Sequence, residues 1–245
     1  MKIFLNMEAK KHMSLYFIVL FCGGLMSLQA QIKSGVYISE GKNIIHELKI
    51  SENYLTLTLY EKAPAKFIKT VGGFPRFEDN RLLVLLEFNS NFAQDSMRLL
   101  SIPYTMEGSK LVLELKSKLP FNTIPKLNQD LDGQWLFGAR GPDTGQERRG
   151  DSKPRKTLKY LMEGRFQWIA YNTETMEFHG TGGGSFTAKD GVYQENIEFF
   201  SRDNSRVGAK LTFDYKVIGD DWHHQGKNSK GEPMYEIWMR RTGRQ

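Results

Sequence analysis

Cysteine is nearly absent from this chain. Cys22 is the only cysteine in 245 residues, and it lies in the N-terminal apolar stretch. The rest of the chain therefore has no disulfide framework, no thiolate zinc site and no cysteine nucleophile. A protein without such cross-links depends on its apolar core, and roughly 215 residues suffice for one or two cores.

Long apolar runs are also absent beyond residue 30. Before it, three lysines precede the apolar stretch 15–28, which is well short of the roughly 20 residues that span a membrane. A small-residue cleavage site follows at Ala30, so we predict a signal peptide over 1–30 and a secreted or periplasmic protein. Its membrane contact would end with the cleaved peptide. Phe21 is bulky and argues against a lipid anchor on Cys22.

The net charge of the chain is small. The formal charge is +6, and removing the three lysines and one glutamate of 1–30 leaves 31 basic and 27 acidic residues, or +4. This value is too mild to indicate a nucleic-acid partner. A basic cluster lies at 148–156 in a Gly/Pro-rich segment, which is typical of a solvated loop.

An internal repeat is present. Shifted by 111 residues, 54–111 align without a gap on 165–222, with twelve identities in 58 positions. Upstream, Ser34–Tyr37 resembles Asp132–Trp135 at an offset of 98, so the second copy carries 13 extra residues, at 141–153. We infer a duplication, because the matches fall on turn glycines and core-type aromatics. The identities are Tyr60/Tyr171, Phe67/Phe178, Thr70/Thr181, Gly72/Gly183, Gly73/Gly184, Asp79/Asp190, Glu87/Glu198, Phe88/Phe199, Ser90/Ser201, Leu100/Leu211, Tyr104/Tyr215 and Gly108/Gly219.

Each copy shows the period-two alternation of strands and no long helical period. The predicted inward faces are Tyr193, Glu195, Ile197, Phe199 and Leu211, Phe213, Tyr215, Val217 in the second copy, and Leu82, Val84, Leu86, Phe88 and Leu100, Ile102, Tyr104, Met106 in the first. Further strands are predicted at 133–139, 157–162, 165–171, 177–182, 185–188, 221–225 and 234–241.

Short strands at close spacing predict an all-β fold of two tandem antiparallel barrels. The first barrel is placed at 31–119 and the second at 131–245. A polar segment with two prolines, 120–130, is predicted to link them.

The second copy carries a family resemblance. It begins with Leu131–Trp135 and ends with Tyr235–Arg241; between them lie Phe166–Trp168, Gly182–Phe186 and Val192–Glu198. Residues 131–242 resemble an uncharacterised family of secreted bacterial lipocalin-like (calycin-type) domains. The resemblance implies that Arg240 packs over Trp135 beside Gly133 and closes the barrel. It also implies binding of small, often apolar ligands.

The first copy departs from this pattern. It has Tyr37 in place of Trp135 and no evident terminal arginine. Its lipocalin-like character therefore rests on the internal repeat, and we expect a structural or interaction role for it.

The copies differ most where a site would lie. Glu195 stands where the first copy has Val84, and Glu236, Trp238 and Arg240 share one face of the last strand. A carboxylate inside a barrel needs a cation, water or a ligand. We expect Arg240 to pair with Glu195, and the ligand site to include Tyr193, Tyr215, Trp168 and Trp238. The loop 141–153 is the candidate lid. A buried structural ion pair is the alternative.

Catalytic and metal sites are less well supported. Glu195 with Glu236 is a possible acid–base pair, but Gly184–Phe186 is not a nucleophile elbow and Gly182–Gly184 is not a phosphate loop. The adjacent His223 and His224 point to opposite faces of a strand, so no regular metal site is predicted. We also predict no cofactor.

The leading expectation is thus an exported, non-enzymatic protein that binds a small apolar or amphipathic molecule in its second barrel. The alternative is a cell-surface or assembly module with plugged barrels. A small β-barrel hydrolase or isomerase comes third.

Overall fold

The computed structural model describes residues 32–228 and 231–241. Within them the chain forms two closed eight-stranded antiparallel barrels, in agreement with the predicted fold class. The predicted signal peptide and its cleavage site at Ala30 lie outside the described residues. The one α-helix of the described part has four residues, and no helix there is long and apolar enough to cross a membrane.

The first barrel is a meander in which each strand pairs with the next. Its strands are β1 (Gly35–Glu40), β2 (Ile44–Ile50), β3 (Leu55–Lys62), β4 (Ala65–Glu78), β5 (Arg81–Asn89), β6 (Leu99–Glu107), β7 (Lys110–Glu114) and β8 (Lys118–Thr123). The short helix α1 (Phe92–Asp95) lies between β5 and β6. Pairing of Tyr37 with Thr123 closes the barrel.

The second barrel has the same meander order. Its strands are β9 (Gly133–Arg140), β10 (Arg155–Met162), β11 (Arg165–Asn172), β12 (Phe178–Lys189), β13 (Val192–Phe200), β14 (Lys210–Ile218), β15 (Asp221–Lys227) and β16 (Pro233–Arg240), with a short 3-10 helix, Asn204–Arg206, before β14. The strands predicted at 177–182 and 185–188 are one continuous strand, β12. The glycines between them therefore shape the strand without ending it.

The predicted boundary of the first barrel, at residue 119, is too early. Strand β8 continues to Thr123, and Pro120 pairs with Val112 inside it. Proline is tolerated at a strand position whose N–H is not needed by a neighbour, so its presence at 120 does not mark a linker. The connection between the barrels is 124–132.

The two copies have equivalent bulges at the shared glycine pairs. Gly72 pairs with Phe88 and Gly73 with Leu86, which leaves Glu87 as the extra residue of β5. Gly183 pairs with Phe199 and Gly184 with Ile197, so Glu198 is extra in β13. A bulge reverses the alternation of side chains after it. The predicted inward positions of Phe88 and Phe199 are therefore wrong, and both side chains face the other barrel.

Glycine is required at these bulges. A Cβ on Gly72 would lie 2.6 Å from the Phe88 ring, and a Cβ on Gly183 would lie 2.5 Å from the Phe199 ring. Each ring thus lies directly on the backbone of its own glycine. This leaves the opposite face of the ring free to pack on the partner barrel.

The outer faces of the two barrels pack against each other around a pseudo-two-fold axis. Phe67 stacks on its own counterpart Phe178, with centroids 6.1 Å apart and planes 10° from parallel. Tyr60 packs on Phe199 at 4.7 Å, and its counterpart Tyr171 packs on Phe88 at 5.1 Å. Reciprocal contacts of this kind define an isologous interface, here formed within one chain.

Buried and partly buried charges reinforce this interface. The carboxylate of Glu87 accepts hydrogen bonds from Tyr54, Tyr171 and Arg241, each 2.8 Å long. The guanidinium of Arg165 donates to Glu47 and Glu198, both at 2.6 Å. Burial opposes ionisation of Glu47, but the Arg165 and Lys49 charges prevail and lower its pKa to about 2.

Replacing Glu87 by leucine is expected to destabilise the protein strongly. The change removes the buried carboxylate of the Arg241 guanidinium, whose side chain is 3% exposed, and leaves it with the partly exposed Asp151 at 3.3 Å. Loss of one partner of a buried ion pair costs about 3–5 kcal/mol. Urea unfolding monitored by circular dichroism measures this cost. Glu114→Leu, which removes an exposed ion pair with Lys118, is the control and should change little. Equal effects of the two variants would contradict a stabilising role for the buried network.

Candidate functional site

The open end of the second barrel leads into a cavity of about 230 Å³. It lies where β10, β11 and β14–β16 present their inward side chains. Three residues of the predicted ligand site, Trp168, Glu236 and Trp238, line it. Lys159 and His224 also line it.

Lys159 is the cation that pairs with Glu195. Its Nζ lies 2.9 Å from Glu195 Oε1, and the two side chains are 7% and 6% exposed. The hydroxyl of Tyr193 donates to the same carboxylate oxygen at 2.8 Å. Glu195 and Tyr193 therefore meet inside the barrel as predicted, but the expected pairing of Glu195 with Arg240 is wrong.

Aromatic rings surround the Lys159 ammonium group. Its nitrogen lies 4.9 Å from the ring centroid of Trp222, 5.0 Å from that of Tyr193 and 5.2 Å from that of Trp238. Desolvated cation–π contacts stabilise an ammonium group by up to about 2 kcal/mol. The rings and Glu195 together offset part of the cost of burying the lysine.

His224 and Glu236 form a second polar group beside this pair. His224 is 2% exposed, and neither ring nitrogen has a hydrogen-bond partner. Its Nδ1 lies 3.8 Å from Glu236 Oε2, beyond hydrogen-bond distance. Glu236 accepts a hydrogen bond from the Trp238 indole N–H at 3.1 Å. The imidazole thus carries unused hydrogen-bonding capacity in the cavity wall.

Burial and neighbouring charges set the charge states of His224 and Glu236 at neutral pH. Burial and then the nearby Lys159 cation lower the pKa of His224 to about 4, so its imidazole is neutral. Burial disfavours the Glu236 carboxylate, but His224, the Lys159 charge and the Trp238 N–H prevail and lower its pKa. The Lys159 and Glu195 charges offset each other. Glu236 adds a negative charge to the cavity lining, and the exposed Lys227 adds a positive one.

Arg240 and Tyr215 lie outside this cavity. The Arg240 guanidinium carbon stacks 4.2 Å from the ring centroid of Trp135, and a Cβ on Gly133 would lie 2.8 Å from the guanidinium. The barrel-closure role predicted for Gly133, Trp135 and Arg240 agrees with this geometry. The Tyr215 hydroxyl donates to Asp130 at 2.6 Å, so its expected hydrogen bond across the cavity is absent.

The loop 141–153 is held outside the cavity. Arg148 pairs with Asp143 at 2.7 Å and with Asp221 at 3.2 Å. The Arg149 guanidinium lies 4.8 Å from the centroid of the Phe137 ring. None of the loop residues lines the cavity, so this structure gives no support to the predicted lid.

Strand pairing shows which residues occupy matched positions in the two barrels, including residues outside the gap-free sequence alignment. The register matches Lys159 with Leu48 of the first barrel, and His224 and Glu236 with Leu113 and Leu119. Together with the substitution of Val84 by Glu195, four apolar positions of the first barrel are polar in the second. Lys159 was missed because it lies upstream of the gap-free alignment. Only its inward position in β10 would have identified it.

His223 and His224 point to opposite sides of β15, as the alternation predicts. His223 Nδ1 lies 2.9 Å from the Tyr235 hydroxyl on the outer side, whereas the His224 ring packs 4.3 Å from Phe213 inside. Among the described residues, no group of three or more His, Cys, Asp or Glu side chains is arranged to hold a metal ion.

Comparisons with known proteins do not assign a family. No protein-family model and no curated protein matches the chain. One solved structure with partial similarity is the β chain of DNA polymerase III from Streptococcus pneumoniae TIGR4, at 9% identity and a TM-score of 0.13. The alignment covers 86% of this chain and 57% of that chain. A TM-score this low carries no argument about fold or function.

The Lys159–Glu195 ion pair can be tested by replacing its two residues with those at the matched positions of the first barrel. Lys159→Leu alone leaves Glu195 buried without its cation, so we expect a loss of about 3–5 kcal/mol in the free energy of unfolding. The double variant Lys159→Leu/Glu195→Val has the same two side chains as the matched positions Leu48 and Val84. It should therefore recover most of the lost free energy of unfolding. Chemical denaturation of both variants provides the measurement. A double variant no more stable than the single one would contradict the pairing.

His224 predicts a defined pH dependence of stability. In the unfolded chain its pKa is near 6.5, against about 4 in the folded protein. Between these values the unfolded state binds the extra proton, so stability is full above pH 6.5 and falls by about 3 kcal/mol towards pH 4. Urea unfolding at pH 7 and pH 5 should show a smaller difference in His224→Leu than in the original protein. Identical differences would show that His224 does not titrate in this way.

Proposed function

We propose that the chain is an exported, non-enzymatic, lipocalin-like protein whose second barrel binds a small amphipathic molecule. The observation that carries this proposal is the group of polar side chains in and beside the second-barrel cavity. The first barrel closes with apolar side chains at the same positions, so the fold does not need Lys159, Glu195, His224 and Glu236. Retaining buried charges of this kind has a free-energy cost, which points to a ligand.

The size and lining of the cavity define the ligand. A volume of about 230 Å³ is below the roughly 300–1,000 Å³ of sites for drug-sized molecules, so the ligand is small. Trp168, Phe213 and Trp238 supply flat apolar walls that suit an aromatic or compact aliphatic body.

The charge of the site selects the head group. The negative charge of the Glu236 carboxylate, together with the unpaired His224 nitrogens beside it, favours a cationic or hydrogen-bond-donating group at this point of the cavity. The nearby indole rings favour a cation further. A small primary amine with an apolar body combines these properties. Glu195 is engaged by Lys159 at 2.9 Å, which makes it less suited to act with Glu236 as an acid–base pair.

Calorimetric titration with phenethylamine tests this proposal. We expect the amine to bind more tightly than 2-phenylethanol, which has the same body without the charge. Glu236→Gln should reduce amine affinity by about tenfold, equivalent to about 1.4 kcal/mol. Asp214→Asn removes the same charge from an exposed position of β14 and should have no effect. Equal affinities for amine and alcohol, or a Glu236→Gln variant that keeps the preference, would contradict the proposal.

Native mass spectrometry of the protein from its own host complements this titration. A copurifying small amine that is lost from Glu236→Gln would identify the natural ligand. A copurifying molecule retained equally by folded Glu236→Gln and Glu195→Gln variants would place it outside this site.

A further inference from the structure

The first barrel also contains a cavity at its open end, and it is the larger of the two. Its volume is about 440 Å³, against about 230 Å³ in the second barrel. The difference has a local cause. Leu57 occupies the position of Trp168, because each pairs with the matched residue of the preceding strand, Leu48 or Lys159. Leucine leaves open the space that the indole fills.

The wall of this cavity is aliphatic. Six of the side chains that form it are Leu57, Leu59, Ile68, Val71, Leu100 and Leu119. Four of them, Leu59, Ile68, Leu100 and Leu119, are only partly buried. Apolar surface left in contact with water inside a concave site gains free energy when an apolar ligand covers it. The site therefore suits a flexible hydrocarbon chain better than a polar molecule.

The charged residues at this cavity have one sign. Lys69 and Lys116 contribute to its lining, and no carboxylate does. Lys69 has a partly exposed contact with Asp95 at 3.3 Å. Lys116 is exposed on the turn between β7 and β8. An anionic group held at the mouth would meet both ammonium groups while remaining in contact with water.

His46 adds a polar group to the same wall. Its Nδ1 is buried without a hydrogen-bond partner, and burial lowers the pKa of the imidazole. A neutral imidazole can donate or accept a hydrogen bond, so it can contact a carboxylate or its bound water without adding charge.

We propose that the first barrel binds an anionic amphiphile with a single aliphatic chain, such as a medium-chain carboxylate. The chain lies among Leu57, Leu59 and Leu100, and the head group lies between Lys69 and Lys116. This site is independent of the one in the second barrel, and its ligand has the opposite charge. It also assigns a binding role to the barrel for which the sequence predicts a structural one.

Titration of the whole chain with decanoate, below its micelle concentration, tests the proposal. We expect binding of one decanoate per chain and markedly weaker binding of decyltrimethylammonium, which has a similar tail and the opposite charge. The double variant Lys69→Gln/Lys116→Gln should weaken decanoate binding by about tenfold. Both lysines lie at the surface end of the barrel, so this variant is expected to fold. Equal binding of the two amphiphiles, or no binding of decanoate, would overturn the proposal.

A substitution taken from the second barrel tests the location. Leu57→Trp places the indole of the matched position in the cavity and should reduce decanoate affinity at least tenfold, with folding checked by circular dichroism. The control Glu236→Gln alters only the other barrel and should leave decanoate affinity unchanged. Undiminished binding in a folded Leu57→Trp variant would overturn the assignment to this cavity. Loss of amine binding in Glu236→Gln with decanoate affinity retained would separate the two sites.

Discussion

The β-bulge opposite each glycine pair is the constraint on which the arrangement of the two barrels depends. One extra residue in β5 and one in β13 turn Phe88 and Phe199 out of their own barrels, next to the outward Glu87 and Glu198. Without that turn the phenylalanines would continue the inward face of the strand. The outer surface would then lose its central aromatic contacts, those of Tyr60 with Phe199 and of Tyr171 with Phe88.

The pseudo-two-fold interface explains why certain residues are shared by the two copies. A contact across a two-fold axis uses each residue twice, so Tyr60 with Phe199 requires Tyr171 with Phe88. Phe67 and Phe178 meet on the axis itself. Substitution of one member damages a contact that both barrels need. The interiors carry no such reciprocal requirement, and there the copies have diverged.

The sequence predicted the fold class well and the interface not at all. Alternation of apolar and polar residues identified the strands of the second barrel and β5 and β6 of the first, because each strand has one face inside a barrel. The same reasoning placed Phe88 and Phe199 inside, since alternation alone cannot show where a bulge reverses the faces. The repeat marked the residues of the interface correctly as structural. The contacts that these residues make between the two barrels became visible only in three dimensions.

The sequence predicted only part of the candidate site, again because it does not show where each side chain points. Glu195 and Glu236 stood out because charge at an inward position is unusual. Lys159 did not, because a lysine in a strand is ordinary unless its direction and neighbours are known. Arg240 was chosen as the partner of Glu195 by its presence on the same face as Glu236. The structure instead places it over Trp135, with the guanidinium carbon 4.2 Å from the ring centroid.

Duplication gives this protein an internal control for the meaning of its buried charges. The same fold closes once with Leu48, Val84, Leu113 and Leu119, and once with Lys159, Glu195, His224 and Glu236. Barrel formation therefore cannot be what maintains the polar set, since the apolar set fulfils that role in the same chain. Removing Lys159 alone would leave Glu195 buried without its cation, which accounts for these two residues occurring together. The difference between the interiors is thus a difference in what each barrel can hold. The second barrel offers a compact cavity lined by Lys159, His224 and Glu236, and the first an aliphatic cavity with Lys69 and Lys116 at its mouth.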